Sequence, residues 1–96
     1  MGLQFEWDPD KARSNQRKHQ VTFEEAATVF ADMLSITVTD PDHSVNEERF
    51  ITVGLSQSHR LLVVAHTERN GRIRIISARE LTKTEKRAYE QGNYRD

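Results

Sequence analysis

The chain has 96 residues, with 14 Lys or Arg, 15 Asp or Glu and no cysteine, and its formal net charge is -1. This length predicts one domain with a modest core, and the lack of cysteine excludes disulfides and thiolate metal sites. No stretch approaches the roughly 18 apolar residues of a membrane helix, and the polar N-terminus lacks the apolar segment of a signal peptide. We therefore expect a soluble, cytoplasmic protein with no membrane contact.

The charge is distributed unevenly along the chain. Residues 1–32 and 33–59 carry net charges of -2 and -3, whereas residues 60–96 carry nine basic and five acidic side chains, or +4. Such a local excess can concentrate anions on one face of a nearly neutral molecule. Solvated strands and helices are also rich in Arg and Lys, so both interpretations stay open.

The N-terminal segment predicts a short strand followed by a helix. QFEW at residues 4–7 is typical of a strand that Asp8-Pro9 ends. Asp8 is placed to accept a hydrogen bond as an N-cap, and Pro9 at the first helical position loses an N–H that has no helical partner there. We expect this helix to run to about His19.

A second helix is predicted over residues 23–31. Thr22 and Glu25 have the spacing of a capping box, in which each side chain bonds the other's backbone N–H. An apolar stripe with helical spacing follows, and we expect it to face a core. Its members are Phe23, Ala26, Ala27 and Phe30.

The rest of the chain predicts four strands and a terminal helix. The strands, recognised by period-two or β-branched runs, cover 34–38, 49–55, 60–68 and 72–79. A polar loop, TDPDHSVNEE, separates the first two. Thr82 and Glu85 form a second capping box, and the helix that they begin should end near Gly92. The fold class is therefore α+β, in the order β-α-α-β-β-β-β-α, with an antiparallel sheet and helices packed on one face.

The Asn70-Gly71 pair predicts a type I′ hairpin. Its register gives four cross-strand pairs, namely Arg69 with Arg72, Thr67 with Arg74, His66 with Ile75 and Leu62 with Arg79. Side-chain alternation then places Arg74 on one face and Arg79, together with His66, on the other. Two arginines on opposite faces cannot contact one phosphate unless the strand twists or bulges near Ser77.

The four arginines of this hairpin divide into two classes. Arg69 and Arg72 oppose each other at the tip, where like charges repel, so we expect them to be solvated or to face a partner. Arg74 and Arg79 lie in an aliphatic strand, where a guanidinium needs a carboxylate, a carbonyl or a phosphate. The carboxylates available nearby are those of Glu68, Glu80 and Glu85.

The four histidines have different expected roles. His66, in a strand of Leu and Val, is either a proton-transfer residue or a satisfied sheet residue. His19, at the end of the first helix, is placed as a cation against the helix dipole. His43 follows two aspartates in a turn, where loop chemistry is the alternative to a metal site, and His59 is expected to be solvated.

The chain resembles the BrnT family of bacterial toxins from type II toxin-antitoxin systems. The segments that carry the resemblance are FEWDPDKARSNQRKHQVTFEEAATVF at 5–30, DPDHS at 40–44, ERFITVG at 48–54, RLLVVAHTE at 60–68 and RIRIISARELTKTEKRAYE at 72–90. The resemblance implies a RelE-like fold, ribonuclease activity that slows translation, and a BrnA-like antitoxin. It also implies contact with operator DNA only through the antitoxin complex, and it is compatible with a toxin dimer in that complex.

Cleavage of RNA by its own 2′-OH needs no metal ion and no cofactor. It requires a base, an acid and cations for the charge that builds on the phosphate. The catalytic candidates are Arg79, His66, Arg74 and Tyr89, with Arg79 the first choice. The RNA-binding candidates are Lys18, His19, Arg69, Arg72 and Lys86.

Two features leave alternatives open. Gln20 stands where family members commonly have glycine, so that glutamine either takes the left-handed conformation at a cost of up to about 1 kcal/mol or changes the turn. Tyr89 can stack a base or donate to phosphate, but it can also simply pack against the sheet. The chain as a whole can also be a non-catalytic module, or an inactive homologue, that only pairs with an antitoxin.

Overall fold

The computed structural model describes residues 2–43 and 47–92, and part of the predicted polar loop, residues 44–46, lies outside the described residues. The elements are β1 (Phe5–Glu6), α1 (Pro9–His19), α2 (Phe23–Thr28), β2 (Ile36–Thr39), β3 (Arg49–Leu55), β4 (Leu61–Arg69), β5 (Arg72–Glu80) and α3 (Lys83–Glu90). Short 3-10 turns cover Val29–Ala31 and Pro41–His43. The predicted α+β class and element order are therefore confirmed. None of the helices described is long and apolar enough to cross a membrane.

Local capping explains where α1 and α3 begin. Asp8 caps α1 by accepting from the backbone N–H of Asp10, and Pro9 occupies the first turn. Thr82 and Glu85 form a reciprocal capping box at α3. Both starts follow the sequence prediction, because a cap satisfies backbone N–H groups that the first helical turn leaves without partners.

Only one of the two hydrogen bonds predicted for the capping box of α2 is described in the structure. The Thr22 hydroxyl accepts from the N–H of Glu25 at 3.0 Å. The Glu25 carboxylate instead accepts from the guanidinium of Arg60 and from the Ser56 hydroxyl. Glu25 therefore ties α2 to the turn between β3 and β4.

Within the described residues the sheet has five strands, in the order β1-β5-β4-β3-β2. Strands β2 to β5 form the predicted antiparallel meander. β1 pairs with β5 in parallel, so the prediction of a wholly antiparallel sheet is wrong at this edge. The crossover through α1, α2 and the meander brings the chain back beside β1 in the same direction.

Helices cover both faces of the sheet, which corrects the prediction that they share one face. One core contains residues of α1, α2 and the sheet, namely Val21, Phe23, Ala26, Val29, Leu62, Val64, Ile75 and Ala78. A second, smaller cluster contains Val53, Val63 and Leu81, with Tyr89 of α3 packed against it. Val63 points away from its neighbours along β4, because side chains alternate, so α3 lies on the opposite face.

The β4–β5 hairpin has the predicted turn and the predicted register near its tip. Asn70 and Gly71 both take positive φ, of 53° and 75°. The pairs Arg69–Arg72, Thr67–Arg74 and His66–Ile75 are confirmed. Below them the register shifts, so that Ala65 pairs with Ser77 and Val63 pairs with Arg79, which leaves Ile76 as the extra residue of a β-bulge. The predicted pair of Leu62 with Arg79 is therefore wrong.

This bulge changes which side chains share a face. A one-residue shift moves every later side chain of the strand to the other face. Ala78 consequently enters the core beneath α1 and α2, and Arg79 joins Arg74 on the face that α3 partly covers. The prediction that Arg79 shares a face with His66 is wrong, because His66 lies on the α1–α2 side.

Candidate functional site

Arg74 and Arg79 of β5 define what we call the arginine face. Arg74 donates from Nη1 to the Glu6 carboxylate at 2.9 Å. Arg79 donates from both Nη atoms to the Glu85 carboxylate, at 2.7 and 2.9 Å. Their cross-strand neighbours, Thr67 and Val63, are four residues apart on β4. At about 3.3 Å per residue the two arginine backbones are about 13 Å apart along the strand.

The Glu85 carboxylate has two functions in the fold. It accepts from the N–H of Thr82 at 2.9 Å in the capping box, and each of its two oxygens accepts a hydrogen bond from the Arg79 guanidinium. Hydrogen bonds from Arg79 are the main reason why the pKa of Glu85 falls from 4.5 to about 2. Of the carboxylates predicted as partners, those of Glu68, Glu80 and Glu85, the Glu85 carboxylate binds the guanidinium of Arg79.

The tip arginines make looser ion pairs. Arg69 lies 3.5 Å from the Glu47 carboxylate, and Arg72 lies 3.8 Å from that of Glu6. Arg72 also donates to the side-chain oxygen of Gln4 at 3.4 Å. Both arginines are exposed, and such pairs contribute little to stability, typically about 0–1 kcal/mol.

His66 lies in the core beneath the α1–α2 layer and is 5% exposed. Its ring stacks on Phe50 and meets Phe30 edge to face. Its Nε2 is 2.7 Å from the hydroxyl of Thr52, whereas its Nδ1 has no hydrogen-bond partner among residues 2–43 and 47–92. Burial lowers the pKa of His66 from 6.5 to about 4, so the ring is neutral at pH 7. The ring lies on the face of the sheet opposite Arg74 and Arg79.

Tyr89 and Lys86 lie on α3. The Tyr89 ring packs against the cluster that contains Val53 and Val63, and its hydroxyl donates to the carbonyl of Leu34 at 3.2 Å. Lys86 is exposed, one residue beyond Glu85. The geometry thus accounts for Tyr89 by packing, the alternative left open by the sequence.

Lys18 and His19 line a cleft between α1 and the bulged part of β5, where Ile76 and Ser77 form the other wall. α1 ends at His19, and its C-cap residue Gln20 has a left-handed conformation with φ of 56° and ψ of 34°. The Gln20 side chain donates to the carbonyl of Arg17 at 3.1 Å. Glutamine therefore adopts the conformation that glycine takes without strain.

The two remaining histidines lie in turns, and a metal site is an alternative only for His43. His43 contacts the Asp40 carboxylate through Nδ1 at 2.9 Å. His59 has a positive φ of 64° in the turn before β4. Within residues 2–43 and 47–92, no three His, Asp or Glu side chains group together as metal ligands.

Asn15 positions α1 against β5, a role that was not predicted from the sequence. Its Nδ2 donates to the carbonyls of Val21 and Ala78, at 3.0 and 2.8 Å, and its Oδ1 accepts from the N–H of Ala78 at 3.0 Å. It thus replaces the strand partner that β5 lacks beyond the two-residue β1. One buried asparagine within the polar run RSNQRKH gives no pattern that distinguishes it from its exposed neighbours.

The fold and this surface define a small α+β protein whose sheet presents carboxylate-paired arginines beside a basic cleft. A family model described as "Ribonuclease toxin, BrnT, of type II toxin-antitoxin system" matches residues 7–85, and the chain belongs to this family. It is similar in fold to the crystal structure of the Brucella abortus ribonuclease toxin BrnT. The TM-score is 0.62 at 16% identity, over 85% of this chain and 100% of that one. A comparison with curated proteins gave no significant match.

Proposed function

We propose that this chain is a toxin that cleaves RNA without a metal ion and thereby slows translation in the cytoplasm. A BrnA-like antitoxin would neutralise it, and the complex would repress its own operon. Membership of the ribonuclease toxin family supports the activity. The observation that carries the proposal is the bulge at Ile76, because it puts Arg74 and Arg79 on one face of β5.

The reaction that fits these residues is attack by a ribose 2′-OH on the adjacent phosphorus. The 2′-oxygen forms the new bond to phosphorus and gives its proton to water, while the bond from phosphorus to the 5′-oxygen breaks and that oxygen takes a proton from water. A 2′,3′-cyclic phosphate end and a 5′-hydroxyl end remain. Negative charge builds on the non-bridging oxygens, which a planar guanidinium fork can bind in pairs. We assign this task to Arg79, and Arg74, about 13 Å further along the strand, to a neighbouring phosphate.

Glu85 keeps Arg79 oriented until RNA arrives. Both Nη atoms of Arg79 already donate to the Glu85 carboxylate. A phosphate would therefore replace this carboxylate as the acceptor. The capping bond from Thr82 gives the displaced carboxylate a partner that it keeps. Because its low pKa makes Glu85 a weak base, we assign charge stabilisation rather than proton transfer to this pair.

The other two catalytic candidates receive structural roles in this proposal. His66 is buried on the far side of the sheet, where RNA cannot reach its ring without unfolding the core. Tyr89 donates its hydroxyl to Leu34 and supports α3. We therefore expect the variants His66→Gln and Tyr89→Phe to have a lower free energy of unfolding. Their cleavage rate per folded molecule should stay close to that of the wild type.

The decisive experiment incubates the purified protein with RNA in EDTA and identifies the product ends. We expect 2′,3′-cyclic phosphate ends from the wild type and loss of cleavage in Arg79→Ala. Arg13→Ala removes an exposed arginine of α1 and serves as the control. Intact RNA at high protein concentration would contradict the proposal.

Glu85→Gln separates a catalytic arginine from a structural one. If Arg79 acts on phosphate, this variant releases the guanidinium, retains the capping geometry and keeps its cleavage activity. If Arg79 serves only to hold α3, Glu85→Gln and Arg79→Ala lose activity together. Melting curves of both variants give the fraction that is folded at the assay temperature, so that cleavage activity is compared per folded molecule.

A second function is favoured by the pairing of both arginines. Arg74 and Arg79 have carboxylate partners within the chain, as in a protein that only binds an antitoxin. A tight antitoxin complex, without RNA cleavage by the freed protein, would support that function. Growth arrest on expression without the antitoxin gene, and not with it, would support the toxin.

A further inference from the structure

A basic cleft runs along the outer edge of β5, beyond the point where β1 ends. Its volume is about 170 Å³, which is room for a small anion with a few waters, since each water occupies about 30 Å³ of liquid. We call it the α1 cleft. Its walls are formed by Lys11, Ser14, Lys18, His19, Ile76 and Ser77.

The cleft lies where β5 bulges and where, among the described residues, no strand pairs with its outer edge. β1 pairs only with Ile73 and Arg74, and the bulge follows at Ile76. Asn15 then holds the next turn of α1 against Ala78 by two hydrogen bonds. The cleft thus lies between the pairing of β1 with β5 on one side and the hydrogen bonds of Asn15 to Ala78 on the other.

Three basic side chains line the cleft without carboxylate partners. Lys11, Lys18 and His19 make no ion pair within residues 2–43 and 47–92, although each arginine of β5 has an acidic partner. A cation without a partner costs nothing where water surrounds it, but several in one cleft raise its positive potential. This cleft can therefore bind an anion without displacing a carboxylate.

Helix stability explains only part of this charge. Lys18 and His19 lie in the last turn of α1, where cations interact favourably with the helix dipole. Lys11 lies in the first turn, where a cation is unfavourable. Lys11, Ser14 and Lys18 share one helical face by their spacing, and that face is turned toward β5.

We infer that the α1 cleft binds a phosphate of the RNA backbone, next to the arginine face. Lys11 and Lys18 supply the charge, and Ser14 and Ser77 are the hydroxyl-bearing residues of the lining. Ser77 belongs to both surfaces, because it lines the cleft and lies between Arg74 and Arg79 on their face of β5. The inference rests on the proposed function for the identity of the polymer.

The test measures binding of a fluorescently labelled single-stranded RNA whose riboses carry 2′-O-methyl groups, so that 2′-OH attack is impossible. The double variant Lys11→Ala/Lys18→Ala removes two charges from the cleft. Arg13→Ala/Arg17→Ala removes two from the opposite face of the same helix and is the matched control. Circular dichroism melting shows that both variants fold.

We expect the cleft variant to bind about tenfold more weakly at low salt, and the slope of log affinity against log salt to fall by about 1.4. The control should lose less than about threefold. Equal losses in the two variants, or no loss in the cleft variant, would overturn the inference. A wild type that does not bind this RNA would also overturn it.

Cleavage of unmodified RNA in EDTA distinguishes this inference from the proposed function. If the wild type cleaves RNA, and the cleft variant binds and cleaves it equally well, the inference fails and the proposed function stands. If the cleft variant binds weakly but the wild type leaves RNA intact, the proposed function fails and the phosphate site remains.

Discussion

Asn15→Ala should be one of the most destabilising single changes on α1. The side chain is 6% exposed and bonds three backbone groups. Alanine leaves the N–H of Ala78 without an acceptor, at about 1–3 kcal/mol, and removes a donor from two carbonyls, at about 0.5–1.5 kcal/mol each. The better helix propensity of alanine returns about 0.5 kcal/mol. We expect a net loss of about 1.5–5.5 kcal/mol in the free energy of unfolding.

Urea titration followed by circular dichroism measures this loss directly. For a chain of this size, at about 4–8 °C per kcal/mol, it corresponds to a fall in Tm of about 6–44 °C. Gln16→Ala, at the next and exposed position of α1, is the control and should change the free energy by less than about 0.5 kcal/mol. A loss below about 1 kcal/mol in Asn15→Ala would refute the argument that Asn15 substitutes for a strand partner of β5.

Two further predictions concern a cap and an ion pair. Gln20→Gly should raise the free energy of unfolding by about 0.5–1 kcal/mol, because glycine takes the left-handed conformation without strain; an unchanged Tm would contradict this. Glu85 has a pKa of about 2 when folded, so its pair with Arg79 contributes stability above its unfolded pKa of 4.5 and loses it as the pH falls toward 2. Since these side chains are 27% and 39% exposed, screening limits this contribution to about 1 kcal/mol. Glu85→Gln should therefore flatten the acid limb of stability measured against pH, and an unchanged limb would show that other carboxylates dominate it.

The sequence predicted the elements well because their signals are local. Caps at Asp8 and Thr82, and the Asn70-Gly71 turn, depend on neighbours within a few residues, and each is present in the structure. The mixed sheet and the second helical layer depend on contacts between distant segments. Side-chain period alone cannot say that β1 joins β5, because an edge strand of two residues carries almost no periodic signal.

The error that mattered for the site was one residue in register. Counting back from the turn placed Arg79 opposite Leu62, whereas the bulge at Ile76 places it opposite Val63. No residue type marks this bulge, since isoleucine is an ordinary strand residue. The hairpin register nevertheless predicts that Arg74 and Arg79 can share a face only if β5 twists or bulges near Ser77, and the bulge lies at Ile76.

The pairing of the arginines has a consequence for how an RNA strand would bind. At Arg74 and Arg79 a phosphate must replace Glu6 or Glu85, so one ion pair is exchanged for another and little free energy is gained. At Lys11 and Lys18 no carboxylate is displaced, and released counterions drive binding. We therefore expect the α1 cleft to determine affinity and the arginine face to determine what happens to the bound phosphate. Asn15 lies between them, since it fixes α1 to β5 directly after the bulge that makes both surfaces.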